Sequence, residues 1–399
     1  MRRCHYTITA PQVQQLAVAH LQRSLRLPDH GPKTQAPVLF AILCWAAARL
    51  ASLAAACAAL RRAPSDQAVR DALQATLPDF AELQRRLNHA LQGGLPRPLR
   101  RRKQRVALDL VLHPYYGQPL ESPEELYKGK EKAGTRTFHA YATAYVIFKG
   151  IRWTLALRGV HHSDPWADIV RDLLRQVRKA GVQLALVLLD RGFYCVDVLR
   201  YLQAARRPFL MPMIRRGRRP EHPEGPSGTW AFTTWKRSGW ASYTLQERGG
   251  RRATVRVCVC RTRGRARRGA AARAKPGKLR VWLYAFWGLE PSSAQWVRET
   301  YRLRFGIESS YRQLNQGRAR TSSRDPRLRL LYVGLALVLR NVYVRLHWEV
   351  LAYPRRGYRV VDLNQLPLTG LLRWLAEVAE QLLGVRSARP AARPMLDGL

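Results

Sequence analysis

Two aspartates and a glutamate stand where side chains of their type can do chemistry. Asp190 closes the run Leu184-Ala185-Leu186-Val187-Leu188-Leu189 and is followed by Arg191-Gly192-Phe193. Six apolar, mostly branched residues predict a strand buried on both faces. An acid at the C-terminal end of such a strand sits where open α/β sheets hold their ligands. The same carboxylate could merely cap a helix starting near Phe193. Asp109 lies inside a second apolar run, Arg105-Val106-Ala107-Leu108-Asp109-Leu110-Val111-Leu112. A lone buried aspartate is costly unless it is paired, protonated or on a metal, so Asp109 is expected to face an open cleft. Glu308 comes from a segment, residues 296–316, that reads as a helix. On it Tyr301, Arg304, Glu308, Arg312 and Asn315 fall on one face, at spacings of 3, 4, 4 and 3. Such a stripe is commonly a solvent face. This one mixes a tyrosine, two arginines and a carboxylate.

Three carboxylates offer the hard, anionic oxygens that Mg²⁺ prefers. Two such ions about 4 Å apart can activate an attacking hydroxyl and stabilise a leaving oxygen in phosphoryl transfer, with no general base from the protein.

The elements that must bring the acids together can be read from periodicity and turn signals. Asp109 ends its strand at Pro114-Tyr115-Tyr116-Gly117. Residues 137–148 and 152–160 predict two more strands, joined by Lys149-Gly150. A helix is expected over 165–180, with Asp164 as N-cap and Gly181 as stop. After Asp190 come a helix over 196–205 and a strand over 208–214. Residues 215–290 change character, with short strands at 229–234, 241–246, 252–261 and 280–287 among Arg/Gly/Pro-rich patches. Trp230, Trp235 and Trp240 stand among arginines there, which suits base stacking beside phosphates or plain packing of the inserted sheet. Residues 330–339 predict a buried helix, and 351–399 read as a mixed, arginine-rich tail.

Ahead of all this, residues 11–100 look helical: 11–23, a long apolar segment over 36–60, 65–75 with Ser65 as cap, and 79–91. These fit a helix-turn-helix-like DNA-binding unit or a bundle that only packs on the next domain. The run Pro96-Arg97-Pro98-Leu99-Arg100-Arg101-Arg102-Lys103-Gln104-Arg105 reads as a solvated or phosphate-contacting linker. Residues 36–48 are uncharged but too short to span a bilayer, so a buried helix pair is expected there, and Met1-Arg2-Arg3-Cys4-His5 leads into no early apolar core.

Charge narrows the partner. The chain of 399 residues carries a formal net charge of +42, and all but ten of its 69 basic residues are arginine. Arginine's planar fork matches phosphate, so the expected partner is a polyanion, most simply nucleic acid. The six cysteines are scattered; Cys258 and Cys260 alone are close, with no second pair at zinc-site spacing.

Taken in order, these motifs resemble the DDE transposases of prokaryotic insertion sequences. Tyr301-x₂-Arg304-x₃-Glu308 is similar to the YREK signature. Asp109 with Pro114-Tyr115-Tyr116-Gly117 resembles the first-acid motif, and Asp190-Arg191-Gly192-Phe193 the second. The likeness spans about residues 106–315. It implies an α/β fold: an RNase H-like catalytic core interrupted by a β-rich insertion and preceded by a helical N-terminal domain. The expected boundaries are 1–100 (helical, DNA-binding), 101–214 (first part of the core), 215–290 (insertion), 291–350 (second part, with the Glu308 helix) and 351–399 (tail).

The resemblance further implies that Asp109, Asp190 and Glu308 bind two Mg²⁺ ions, with Mn²⁺ able to substitute. Tyr301, Arg304, Arg312, Asn315 and Arg191 would contact DNA. Partners would be double-stranded DNA (terminal inverted repeats and target) and a second copy of the chain on paired ends, in a prokaryotic cytoplasm at the nucleoid. One departure stands out: the family pattern has a lysine where this chain has Asn315, which bears on any hairpin step more than on the metal site. A nuclease on the same fold, without strand joining, and a non-catalytic DNA-binding descendant are the alternatives.

Overall fold

The computed structural model describes residues 8–148, 151–247, 249–263, 279–305, 315–355 and 358–386. The chain forms two compact units, one of residues 91–312 and one of residues 1–90 with 313–399.

The first unit is built on a nine-stranded mixed sheet. Its strands are β1 (Gln104–Pro114), β2 (Tyr127–Lys132), β3 (Thr135–Phe148), β4 (Ile151–Val160), β5 (Leu184–Leu189), β6 (Phe209–Pro212), β7 (Gly239–Gln246), β8 (Arg252–Arg263) and β9 (Leu279–Trp287). The order is β2-β3-β1-β5-β6-β9-β8-β7, and β4 also pairs with β3. β1 is antiparallel to β3 and parallel to β5; β5 and β6 are parallel. Parallel neighbours need a crossover, and α8 (Val196–Ala204), with Val198, Leu199 and Leu202 buried, supplies it between β5 and β6. A short helix, α6 (Arg97–Arg101), stands within the expected linker ahead of β1, and α7 (Trp166–Lys179) presents Ile169, Val170, Leu173, Leu174 and Val177 to the core, a stripe at helical spacing.

Several local expectations change. Asp164 does not cap α7, whose N-cap is Pro165. Its carboxylate instead accepts from the His161 amide at 2.9 Å and from Arg158 at 3.2 Å, closing the turn after β4. Residues 229–234, expected as a strand, form a 3₁₀ turn (Gly228–Thr234). The Thr233 and Thr234 hydroxyls donate to carbonyls three residues back, at 2.7 and 2.9 Å, which favours a coil over a ladder. Trp230 lies under Arg215 and Arg219 rather than standing open. The strands of residues 239–287 extend the main sheet, because β9 pairs with β6. Cys258 and Cys260 do share one face of β8, both in the apolar core, where burial pushes the Cys258 thiol up to about 12.

The second unit is helical: α1 (Ala10–Leu25), α2 (Ala36–Ala48), α3 (Leu53–Ala59), α4 (Asp66–Thr76), α5 (Phe80–Gln92, whose last two residues fall in the first unit), α10 (Pro326–Leu346) and α11 (Leu368–Leu383). The segment 36–60 is two helices bent by 107°, not one; Leu50 takes a left-handed φ of 52° at the break. Ser65 caps α4 as expected, accepting from the Ala68 amide. The stretch beginning at Pro326 is long and apolar enough to cross a bilayer by length and composition, yet 94% of its apolar window is buried inside the fold. α11 lies in what reads as a tail: Leu371, Leu372, Leu375 and Ala379 recur at helical spacing and are buried. Glu380 on α11 accepts from the Trp45 indole at 2.8 Å and from Arg49 at 2.7 Å, tying the two ends of the chain together.

The packing of this unit is testable at two positions. Gly334 in α10 leaves no room for a side chain, since an added Cβ would lie 2.5 Å from Leu87. Gly334→Val should cost about 1–3 kcal/mol by overpacking, read as a lowered urea midpoint; an unchanged midpoint contradicts the packing. His347 is fully buried, with Nε2 2.8 Å from the Leu366 carbonyl oxygen. Burial, partly offset by that carbonyl and Asp362, holds its imidazole below the ordinary 6.5. The unfolded chain therefore binds the extra proton. This contribution is complete above pH 6.5 and is lost as pH falls from there towards the depressed folded value. His347→Gln should flatten the fall in melting temperature between about pH 7.5 and 5.5; an unaltered slope contradicts the assignment.

Candidate active site

β1 and β5 are parallel neighbours with Leu108 opposite Leu189, so the next residue on each, Asp109 and Asp190, lies at matching register. Adjacent strands run about 4.8 Å apart, which brings two carboxylates together on central strands of the sheet. Asp109 sits inside β1 opposite Thr143 of β3 and is 7% exposed. Its Oδ1 accepts from the Leu110 amide at 2.9 Å. Asp190 is the first residue past β5, at the head of a 3₁₀ turn (Arg191–Phe193); its side chain makes no capping bond and is 42% exposed. The capping role open to it in the sequence is therefore not the one it takes.

One cation joins the pair. Arg304 Nη2 donates to Asp190 Oδ1 at 2.6 Å and Nη1 approaches Asp109 Oδ2 at 3.5 Å, while Nε donates to the Tyr301 hydroxyl at 2.9 Å. That hydroxyl in turn donates to the Leu189 carbonyl at 3.3 Å, next to Asp190. α9 (Ala294–Arg302), capped by Ser293, carries Tyr301 and runs into a 3₁₀ turn (Leu303–Phe305) that carries Arg304. The three-residue spacing puts both on one side. Tyr301 packs on Tyr284 of β9 at 5.2 Å, over a floor of Leu210, Phe286 and Val297.

The electrostatics fix the protonation states. Burial pushes the Tyr301 phenol well above its ordinary range, with Arg304 pulling the other way. Burial works against the Arg304 charge, but Tyr301, Asp109 and Asp190 more than compensate and the net shift is upward. Tyr301 is thus a neutral donor and Arg304 a permanent cation at any working pH. A guanidinium bridging two carboxylates stands where a metal ion would place its charge, and the oxygens facing it are the hard donors a divalent cation takes. The donor set fits.

Of the other sequence candidates, Glu308 and Arg312 lie outside the described residues. Asn315 is exposed and belongs to the helical unit. Arg191 is exposed beside Asp190. Tyr301 and Arg304, expected to hold DNA phosphates, are turned toward the acids; Tyr301 is 3% exposed. Among the described residues no group of three or more His, Cys, Asp or Glu forms a metal site. The tether through the Leu189 carbonyl was not foreseeable from side chains, although the 301/304 spacing signals that the two residues act together.

Comparisons with known proteins bear on part of this site: the family match takes in Asp190, Tyr301 and Arg304 and begins after Asp109. The family model described as a transposase DDE domain matches residues 117–342. The cryo-EM structure of a piggyBac transposase synaptic complex with hairpin DNA is similar over 98% of this chain and 84% of that one, with a TM-score of 0.52 at 10% identity. At that identity the likeness is one of fold, an α/β architecture of RNase H-like type. No curated protein sequence matches significantly.

Removing the groups around the acids should give a graded response in urea unfolding. Tyr301→Phe loses the hydroxyl's two hydrogen bonds and should cost about 1–2 kcal/mol. Arg304→Met should cost more, because it removes a partly buried cation from two carboxylates that stay in place. The reverse ranking contradicts the arrangement.

Proposed function

This chain belongs to the transposases with a DDE domain, which makes it a DNA-cleaving and strand-transferring enzyme, and we propose that Asp109, Asp190 and Glu308 are its three metal-binding acids. The observation that carries the reading is the juxtaposition of Asp109 and Asp190 at matching register on neighbouring parallel strands, under one shared cation. Glu308 is assigned from its place four residues beyond Arg304.

DDE transposases as a family use divalent metal ions. Here two Mg²⁺ ions, or Mn²⁺ in their place, would be held by the three carboxylates and would supply activation of the attacking hydroxyl and neutralisation of the leaving oxygen. The remaining work falls to the chain. β1 and β5 hold two acids rigidly side by side, so little ordering is left for the moment of reaction. Tyr301, hung from the Leu189 carbonyl, sets the angle of Arg304. Arg304 bridges and orients both acids, and its charge can meet a phosphate arriving between them. Arg191, exposed beside Asp190, together with Arg312 and Asn315, would steady the flanking backbone. In cleavage, water attacks phosphorus and the P–O3′ bond breaks, leaving a 3′-hydroxyl. In joining, that hydroxyl attacks a target phosphodiester and displaces its 3′-oxygen.

The substrates on this reading are double-stranded DNA ends with terminal inverted repeats, and target DNA. They would be handled by a homodimer of an insertion-sequence transposase working at the nucleoid of a prokaryotic cell. The domain roles divide accordingly: the helices of 1–100 bind DNA, and the sheet with the 291–312 segment does the chemistry.

The test uses DNA flanking this chain's own gene, incubated with purified protein and Mg²⁺. Nicks at inverted-repeat tips, reduced at least about a hundredfold by Asp190→Asn or Glu308→Gln, are expected, since even indirect disturbance of a metal site costs 10–100-fold. Either variant cutting at the wild-type rate would remove that residue from the site.

A further inference from the structure

At the other end of β5 from Asp190, a cavity of about 950 Å³ is lined by Lys103, Arg171, Arg175, Arg178, Arg206, Arg207 and the Tyr201 ring. Its floor is the start of β5, Gln183 to Ala185, with Pro208 just ahead of β6. Asp190 lies past the other end of β5. At about 3.3 Å per residue the two places are some 20 Å apart along the strand, too far for one contact to serve both.

Six cationic side chains converge on this hollow, and the structure neutralises only two of them. Arg171 pairs with Asp168, and Arg175 with Asp172 at 3.1 Å. Among the described residues Lys103, Arg178, Arg206 and Arg207 have no carboxylate within ion-pair distance. A structural role would be to complement the C-terminal ends of α7 and α8, both of which finish here. Each helix end presents only about half a negative charge, roughly one in total against four unpaired cations. The excess remains.

Two further features suit a ligand. Arg206 takes a left-handed backbone, φ 49°, at a helix end where glycine is the easy residue, so a large cation stands where the backbone favours none. Tyr201 is flanked by Arg171, whose guanidinium lies 5.4 Å from the ring centroid. Burial pushes its phenol up, with Arg171, Arg207, Arg175 and Arg178 pulling the other way, and all four arginines line the same hollow as its ring. Forks of this kind match phosphate bidentately.

We propose that this cavity is a second DNA site, one that grips the phosphate backbone of duplex DNA without reading sequence, remote from the metal-binding acids. It rests on the chain being a DNA transposase and not on the assignment of the acids. A second duplex held some 20 Å from the acids, by the strand-rise estimate, suits DNA beyond the cleaved position or a target awaiting the free end.

The test measures binding of a fluorescent duplex of arbitrary sequence by the full chain in EDTA, across a salt series, so that catalysis and the acids play no part. In the variant Lys103→Ala/Arg178→Ala/Arg206→Ala/Arg207→Ala, the slope of log affinity against log salt should fall by about 3–4, roughly one per lost phosphate contact. The matching variant with lysine at the three arginine positions should keep most of the slope. A melting temperature equal to wild type shows that the fold survives; if the alanine variant is unstable, Arg178→Ala/Arg207→Ala alone should lower the slope by about 2. An unchanged slope in a folded variant overturns the proposal. Unchanged slope with intact cleavage at repeat tips leaves the acid triad standing, whereas a lowered slope with no cleavage by wild type separates the two in the other direction.

Discussion

One guanidinium shared by two aspartates is the constraint on which the rest of the active site depends. Two carboxylates about 5 Å apart repel by roughly 3 kcal/mol at an effective dielectric near 20. A chain that puts Asp109 and Asp190 at the same register of neighbouring strands must answer that repulsion. Arg304 answers it, and Tyr301 holds Arg304 in place from the Leu189 carbonyl. The acids, their cation and the cation's support therefore form one unit, built from β1, the end of β5 and α9. On the proposed reading, a pair preformed in this way would offer its carboxylate oxygens to divalent ions.

The sheet explains why those positions are available. β5 lies between two parallel partners, β1 and β6, and its residues are apolar throughout, so it is fixed by burial. Rigid strands deliver their chemistry at their ends, where side chains leave the core. Asp190 uses one end of β5. The cationic hollow uses the other, with α7 and α8 both terminating there. The aspartate pair with its arginine thus lies toward one end of β5 and the cationic hollow at the other.

Much of this was legible in the sequence, for identifiable reasons. Leu184–Leu189 is too short and too apolar to be anything but a buried strand, and Asp190 at its end followed directly. Ser65 ahead of α4 obeyed capping chemistry. Tyr301 and Arg304 at helical spacing foretold a shared face. What escaped was set by tertiary contact. Asp164 has the right type and place for an N-cap, but Arg158 and the His161 amide claim its carboxylate. Residues 229–234 have strand-like composition, yet threonine hydroxyls close a 3₁₀ turn. The apolar stripe of α11 was hidden by the arginines around it. That Tyr301 and Arg304 also tie to the Leu189 carbonyl and the two aspartates was not readable, because nothing in a linear sequence shows that these groups lie beneath them. The hollow was invisible for the same reason: Lys103, Arg178 and Arg207 are far apart in the chain and meet only once β1, α7 and α8 are assembled.

The most direct measurement is Mn²⁺ binding monitored by electron paramagnetic resonance, on the full chain bound to a cleaved duplex end. If Asp109, Asp190 and Glu308 form one site, the wild type retains bound Mn²⁺ at concentrations where Asp109→Asn, Asp190→Asn and Glu308→Gln each leave it free, while all four proteins melt as folded chains. A folded Glu308→Gln protein that holds Mn²⁺ as the wild type does would contradict the triad, and the third ligand would have to be sought elsewhere on the chain.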